Sequence, residues 1–123
     1  MTTSKYKSNR NVVYSCKYHV VWCSKYRRKA LTQAIQKDLA ATIDDVCSEK
    51  SCEILAEEMM LDHVHLLFEV DPQYGIHKLV KQIKGRSSYI LREKYKHIRT
   101  HLPSLWMHSY FVSTVGGAPL AVA

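Results

Sequence analysis

The chain has 123 residues, with 18 Lys and Arg against 11 Asp and Glu and a formal net charge of +7. That length supports one core and excludes two. The charge points to a polyanionic partner, most simply nucleic acid, with a merely soluble basic domain as the other reading. No stretch approaches the roughly 20 apolar residues of a membrane span, and residues 1–10 are polar where a signal peptide is apolar. A single cytoplasmic domain with no membrane partner is expected.

Residues 12–23 alternate, with Tyr14, Cys16, Tyr18, Val20 and Trp22 on one face and Val13, Ser15, Lys17, His19, Val21 and Cys23 on the other. This predicts a strand with one greasy and one partly polar face. The basic loop Lys25-Tyr26-Arg27-Arg28-Lys29 follows, and Thr32 offers an N-cap for a helix. On that helix Ile35, Leu39, Ile43, Val46 and Cys47 recur at helical spacing, with an end near Lys50. Residues 52–60 and 63–70 read as a second and a third strand joined by Leu61-Asp62. A two-residue loop there sets Met60 opposite His63, Met59 opposite Val64 and Glu58 opposite His65.

Pro72 and Gly75 mark a loop. From Ile76 the positions Leu79, Val80, Ile83, Ile90 and Leu91 trace a second helix, whose remaining surface carries Lys78, Lys81, Lys84, Arg86, Arg92 and Lys94. Residues 106–115, rich in aromatic and β-branched side chains, read as a fourth strand closed by Gly116-Gly117. The order β-α-β-β-α-β predicts an α+β protein, a ferredoxin-like sandwich whose antiparallel sheet has two helices on one face. The other face stays open. In the usual strand order of that fold the first and third strands are central neighbours, which puts Lys17 and His19 on the open face with His63 and His65.

The string Asp62-His63-Val64-His65 carries the chemistry. Side chains alternate along a strand, so both imidazoles leave one face while Val64, Leu66, Phe68 and Val70 leave the other. Two neutral imidazoles supply part of a divalent-cation shell and leave the rest to a third ligand, water or a substrate oxygen. That open arrangement suits Lewis-acid work on a phosphodiester; a metal-free surface pair is the alternative. Leu67 occupies the third alternating position, which excludes the chemistry of histidine-triad hydrolases. His97 and His101 have i, i+4 spacing but no zincin Glu between them, and they read as solvated histidines at a helix end. Cys16, Cys23, Cys47 and Cys52 lack C-x-x-C spacing and read as core or near-core thiols.

Together, Lys17-Tyr18-His19, Trp22, Lys25-Tyr26-Arg27-Arg28, Asp62-His63-Val64-His65-Leu66-Leu67, Lys84-Gly85-Arg86-Ser87-Ser88, Leu105-Trp106, Ser109-Tyr110-Phe111 and Thr114-Val115-Gly116 resemble the TnpA-type, IS200-like transposases. These are the single-tyrosine HUH nucleases of the smallest bacterial insertion sequences. The resemblance runs over residues 12–117. It implies a homodimeric enzyme that recognises hairpins in single-stranded DNA. In such enzymes His63 and His65 would hold Mg²⁺ or Mn²⁺ against the scissile phosphate, and a tyrosine on a helix after the fourth strand would form a 5′-phosphotyrosine link, conserving bond energy without ATP.

The sequence departs from that pattern in two places. Residues 117–123 supply only the approach to the tyrosine helix, so the nucleophile and the Gln or Asn ligand four residues beyond it are missing, and a cleavage-deficient single domain is expected from residues 1–123. Leu61 stands where relatives commonly place proline. Tyr110 matches the family's strand tyrosine and is not the expected nucleophile. Glu58 is open to two readings, a further metal ligand or an ordinary cross-strand carboxylate. Lys17, His19, Tyr26, Arg27, Arg28, Lys84 and Arg86 are the expected DNA contacts. A non-catalytic DNA-binding relic, or a relative acting on repeated chromosomal palindromes, are the rival readings.

Overall fold

A computed structural model describes residues 7–8 and 13–115. The chain runs β1 (Lys7–Ser8), β2 (Val13–Tyr14), β3 (Lys17–Cys23), a 3-10 turn (Lys25–Arg27), α1 (Gln33–Glu49), β4 (Glu53–Met59), β5 (His63–Glu69), α2 (Ile76–Lys94), α3 (Lys96–His101) and β6 (Phe111–Thr114). Four strands form one sheet in the order β4-β5-β3-β6, while β1 and β2 pair separately. Every neighbouring pair is antiparallel. This is the expected α+β, ferredoxin-like sandwich, with the first and third strands of the motif, β3 and β5, at its centre.

Alternation decides which side the helices cover. Val20 and Trp22 of β3 and Val64, Leu66 and Phe68 of β5 are buried in one cluster with Ile35, Leu39, Ile43 and Val46 of α1 and Leu79, Val80, Ile83 and Leu91 of α2. Trp22 meets Trp106 edge to face, with ring centroids 5.8 Å apart, a geometry that contributes about 0.5–1.5 kcal/mol beyond burial. The indole N–H of Trp106 donates to the buried Ser87 hydroxyl at 3.0 Å.

Four local expectations are corrected. The first strand is broken after Tyr14, since β2 turns to pair with β1 and the central strand begins only at Lys17. Thr32 has the extended φ/ψ of an N-cap but makes no side-chain bond; the Gln36 amide donates to the Leu31 carbonyl instead. Ile90 is 38 % exposed, and Ser87 takes an inward position on α2 because it accepts from Trp106. The last strand is shorter than its composition suggests, for Trp106 is drawn into the core and only Phe111–Thr114 pairs with β3. Gly116 and Gly117 lie outside the described residues.

Two turns fix the ends of the elements. Gly75 precedes α2 with φ +94°, a conformation that a side chain would strain. At the other end of α1, Ser51 has φ +55° and the Cys52 amide donates to the Cys47 carbonyl at 3.0 Å, a Schellman closure. Burial pushes the Cys47 thiol up to about 12.

Candidate metal centre and nucleic-acid interface

The hairpin between β4 and β5 has the anticipated register: Glu58 faces His65 and Met59 faces Val64, and the Met60 amide donates to the His63 carbonyl at 2.9 Å. A bulge at Leu55 absorbs the extra residue lower in the strand, where it is 39 % exposed. His63 and His65 therefore stand on the open face, beside Cys23 and Val21 of β3 respectively. Glu58, His65, Val21 and Phe111 form one row across all four strands.

Each imidazole has a partner. The Asp62 carboxylate accepts from His63 Nδ1–H at 2.8 Å and also lies 3.6 Å from the Arg27 guanidinium. Those two groups, His63 first, hold the Asp62 carboxyl below the usual carboxylate range. His65 Nε2 is 3.1 Å from His19 Nδ1, and its Nδ1 lies 3.9 Å from Glu58 Oε1. His19 thus belongs to the histidine cluster. Lys17 shares the face but stands opposite Glu69 at the far end of the strand pair.

The basic loop is tied to the same turn through Ser24, a residue that the sequence patterns did not single out. Ser24 is fully buried; its amide donates to the Asp62 carbonyl at 2.9 Å and its hydroxyl to the Arg28 carbonyl at 2.5 Å. The Leu31 amide donates to the Leu61 carbonyl at 2.9 Å. Between these ties Tyr26 and Arg27 adopt φ values of +57° and +53°, a left-handed pair that costs free energy unless the surroundings hold it. Tyr26, Arg27 and Arg28 are consequently exposed at the mouth of the His63 turn. A lone serine after a strand gives no periodic signal; only the fold reveals its role.

Lys84 and Arg86 are elsewhere, on the helix-covered side. Lys84 Nζ donates to the Met107 and His108 carbonyls at 2.8 and 3.1 Å, and burial lowers its proton affinity. Arg86 makes a two-pronged pair with Glu49 at 2.8 and 2.9 Å. Lys84 borders a groove of about 570 Å³ that also takes in Lys25, Lys81, Trp106 and Tyr110. Arg86 borders a second, of about 560 Å³, with Lys50, Tyr74 and Lys78. Lys81 and Gly85 line both. Tyr110 precedes β6 and does not lie within it. Its hydroxyl is hydrogen-bonded to His77 Nδ1 on α2 at 2.7 Å, so it faces away from His63 and His65.

Among the described residues no group of three or more His, Cys, Asp or Glu side chains converges closely enough to hold an ion. The chemistry of the pair still fits a divalent cation in part: imidazole and carboxylate donors suit Mn²⁺, and a two-imidazole set leaves positions for water or phosphate oxygens.

A model of the family described as Transposase IS200 like matches residues 12–123. The chain belongs to that family. It is 35 % identical over 111 residues to the ISDra2 transposase TnpA of Deinococcus radiodurans, spanning 89 % of this chain and 79 % of that protein. Its identity to the transposase for insertion sequence element IS200 of Salmonella typhimurium is 31 % over 112 residues, 89 % of this chain and 74 % of that one. Among solved structures, a candidate transposase from D. radiodurans R1 superposes with a TM-score of 0.81 at 35 % identity, covering 89 % of this chain and 86 % of the other. A REP-associated tyrosine transposase bound to a REP hairpin shares the IS200-like fold, with a TM-score of 0.64 at 15 % identity over 89 % and 62 % of the two chains. Among the described residues no helix is long and apolar enough to cross a membrane.

Proposed function

We propose that this IS200-like transposase binds hairpin-containing single-stranded DNA, acts in the cytoplasm as a homodimer, and uses His63 and His65 to hold Mg²⁺ or Mn²⁺ at a phosphodiester. The observation that carries the reading is the pairing of the two imidazoles with Asp62 and His19 on an open sheet face, directly beside the exposed Tyr26-Arg27-Arg28 loop. A divalent cation bound there supplies Lewis acidity and orientation at a phosphate oxygen. The protein's own contribution is to fix the ring orientations through Asp62 and His19, and to neutralise the neighbouring backbone with Arg27 and Arg28. The grooves flanking α2 offer Lys78, Lys81 and Lys25 to a second stretch of DNA, with Tyr74 and Tyr110 available for stacking.

Tyr110, turned to the helix side, does not serve the histidine pair as nucleophile. Strand cleavage therefore draws on a hydroxyl other than this one. A rival reading, a hairpin binder whose histidines hold no cation, is favoured by the lack of a third converging ligand among the described residues.

The deciding experiment mixes the protein with end-labelled hairpin DNA, with and without Mn²⁺, on native and denaturing gels. A native shift whose pattern depends on Mn²⁺ and on His63 is expected. A covalent band, mapped to its tyrosine by peptide sequencing, would assign the nucleophile. No shift at any salt concentration sinks the DNA-binding reading, and a shift indifferent to Mn²⁺ and to His63→Ala selects the rival.

A further inference from the structure

His19 was expected to touch DNA, yet its ring nitrogen is spent on another histidine. Nδ1 of His19 lies 3.1 Å from Nε2 of His65, with ring centroids 5.0 Å apart and planes tilted by 47°. The contact is diagonal across the two central strands, since His19 is registered with Leu67 and His65 with Val21. Both backbones are fixed by the sheet, so the contact is a property of the fold and not of a mobile loop.

A hydrogen bond between two neutral imidazoles needs one N–H and one lone pair. If His19 donated, the lone pair on Nε2 of His65 would be consumed and its one remaining proton would sit on Nδ1, leaving no nitrogen for a cation. Only the opposite arrangement leaves His65 able to ligate. His65 then donates Nε2–H to His19 and presents a bare Nδ1, the nitrogen 3.9 Å from Glu58 Oε1. His63 is set the other way: it gives Nδ1–H to Asp62 and presents a bare Nε2. Both rings and Glu58 border the same open face, and a groove of about 350 Å³ is lined by His19, His65, Glu58 and Leu67.

We propose that His19 is a positioning residue that locks the ring and the tautomer of His65, so that the two ligand histidines are held as opposite tautomers, His65 by His19 and His63 by Asp62. This rests on the metal-site reading above and adds to it a partner for the second ligand. Such outer partners of ligating histidines contribute about ten- to a hundredfold in metal affinity.

The test combines calorimetric titration of Mn²⁺ alone into the full chain with nitrogen-15 histidine spectra of the metal-free protein. The spectra are expected to show His65 protonated at Nε2 and His63 at Nδ1. His19→Ala is expected to weaken Mn²⁺ binding about ten- to a hundredfold and to let His65 populate both tautomers. His19→Asn, whose amide reaches the place of Nδ1, should restore most of the affinity, whereas His19→Gln, which reaches the place of Nε2, should not. Circular dichroism melts of the three variants separate these effects from unfolding. If His19→Ala binds Mn²⁺ as the parent does while His65→Ala does not, the positioning role is overturned. If His19→Ala and His19→Asn both lose binding as completely as His65→Ala, His19 is itself a ligand and the proposal again fails. Unchanged binding in His65→Ala overturns the metal reading underneath.

Discussion

The two sides of the sheet differ in how their charged groups are used. On the open face the histidines and carboxylates partner one another: Asp62 with His63 and His19 with His65. On the helix side the cations line two adjoining grooves that meet at Lys81 and Gly85, and several of them, such as Lys78 and Lys81, are exposed. The first arrangement fixes direction, which ligation needs. The second leaves cations free to follow a phosphate backbone, which affinity needs. On the proposed function, the sheet between them would let one domain carry both without mutual interference.

The separation can be broken or sharpened by substitution. The largest effect is expected at Trp22, buried in the core beneath the sheet: Trp22→Ala should cost about 3–5 kcal/mol in chemical denaturation and, by loosening the sheet, weaken Mn²⁺ and DNA binding together. Next, Asp62→Asn removes the acceptor of His63 Nδ1–H and should lower Mn²⁺ affinity about ten- to a hundredfold by calorimetry, with hairpin affinity measured without Mn²⁺ within about twofold of the parent. Equal losses of both would show that the two sides are not independent. Lys78→Ala with Lys81→Ala should do the converse, reducing hairpin affinity about tenfold and flattening the salt dependence by roughly two counterions, with no change in Mn²⁺ binding.

The smallest effect concerns acid. Asp38 is held below the usual carboxylate range by the Tyr95 hydroxyl and Lys94, Glu49 by Arg86, and Asp62 by His63. These groups bind protons less readily folded than unfolded. Their stabilisation is in place above about pH 5 and is lost as the pH falls below about 4. Melting temperatures should therefore drop on acidification over that range, and Arg86→Met should shrink the drop.

Much of this was legible from the sequence because it depends on alternation and on a short loop. Two residues at 61–62 sufficed to place Glu58 opposite His65 and both histidines on one face. The helix spacing of Ile35, Leu39, Ile43 and Val46 likewise predicted their burial. What escaped depended on contacts between distant segments. Nothing near Lys84 announced that its ammonium would bond to the carbonyls of Met107 and His108, or near His19 that its partner would be an imidazole 46 residues away. Trp106 looked like strand because aromatic residues favour strands, but Ser87 offered its indole N–H a buried acceptor.

The knot around Ser24 has a consequence for how this protein can change. Its backbone bonds to Asp62, with those of Lys25 to Leu105 at 2.8 Å and Leu31 to Leu61 at 2.9 Å, weld the basic loop and the histidine turn into one rigid part. On the proposed function, a substitution that reshapes the loop to favour a different hairpin would also shift the aim of His63, so that altered target choice and altered ion binding would be inherited as a pair.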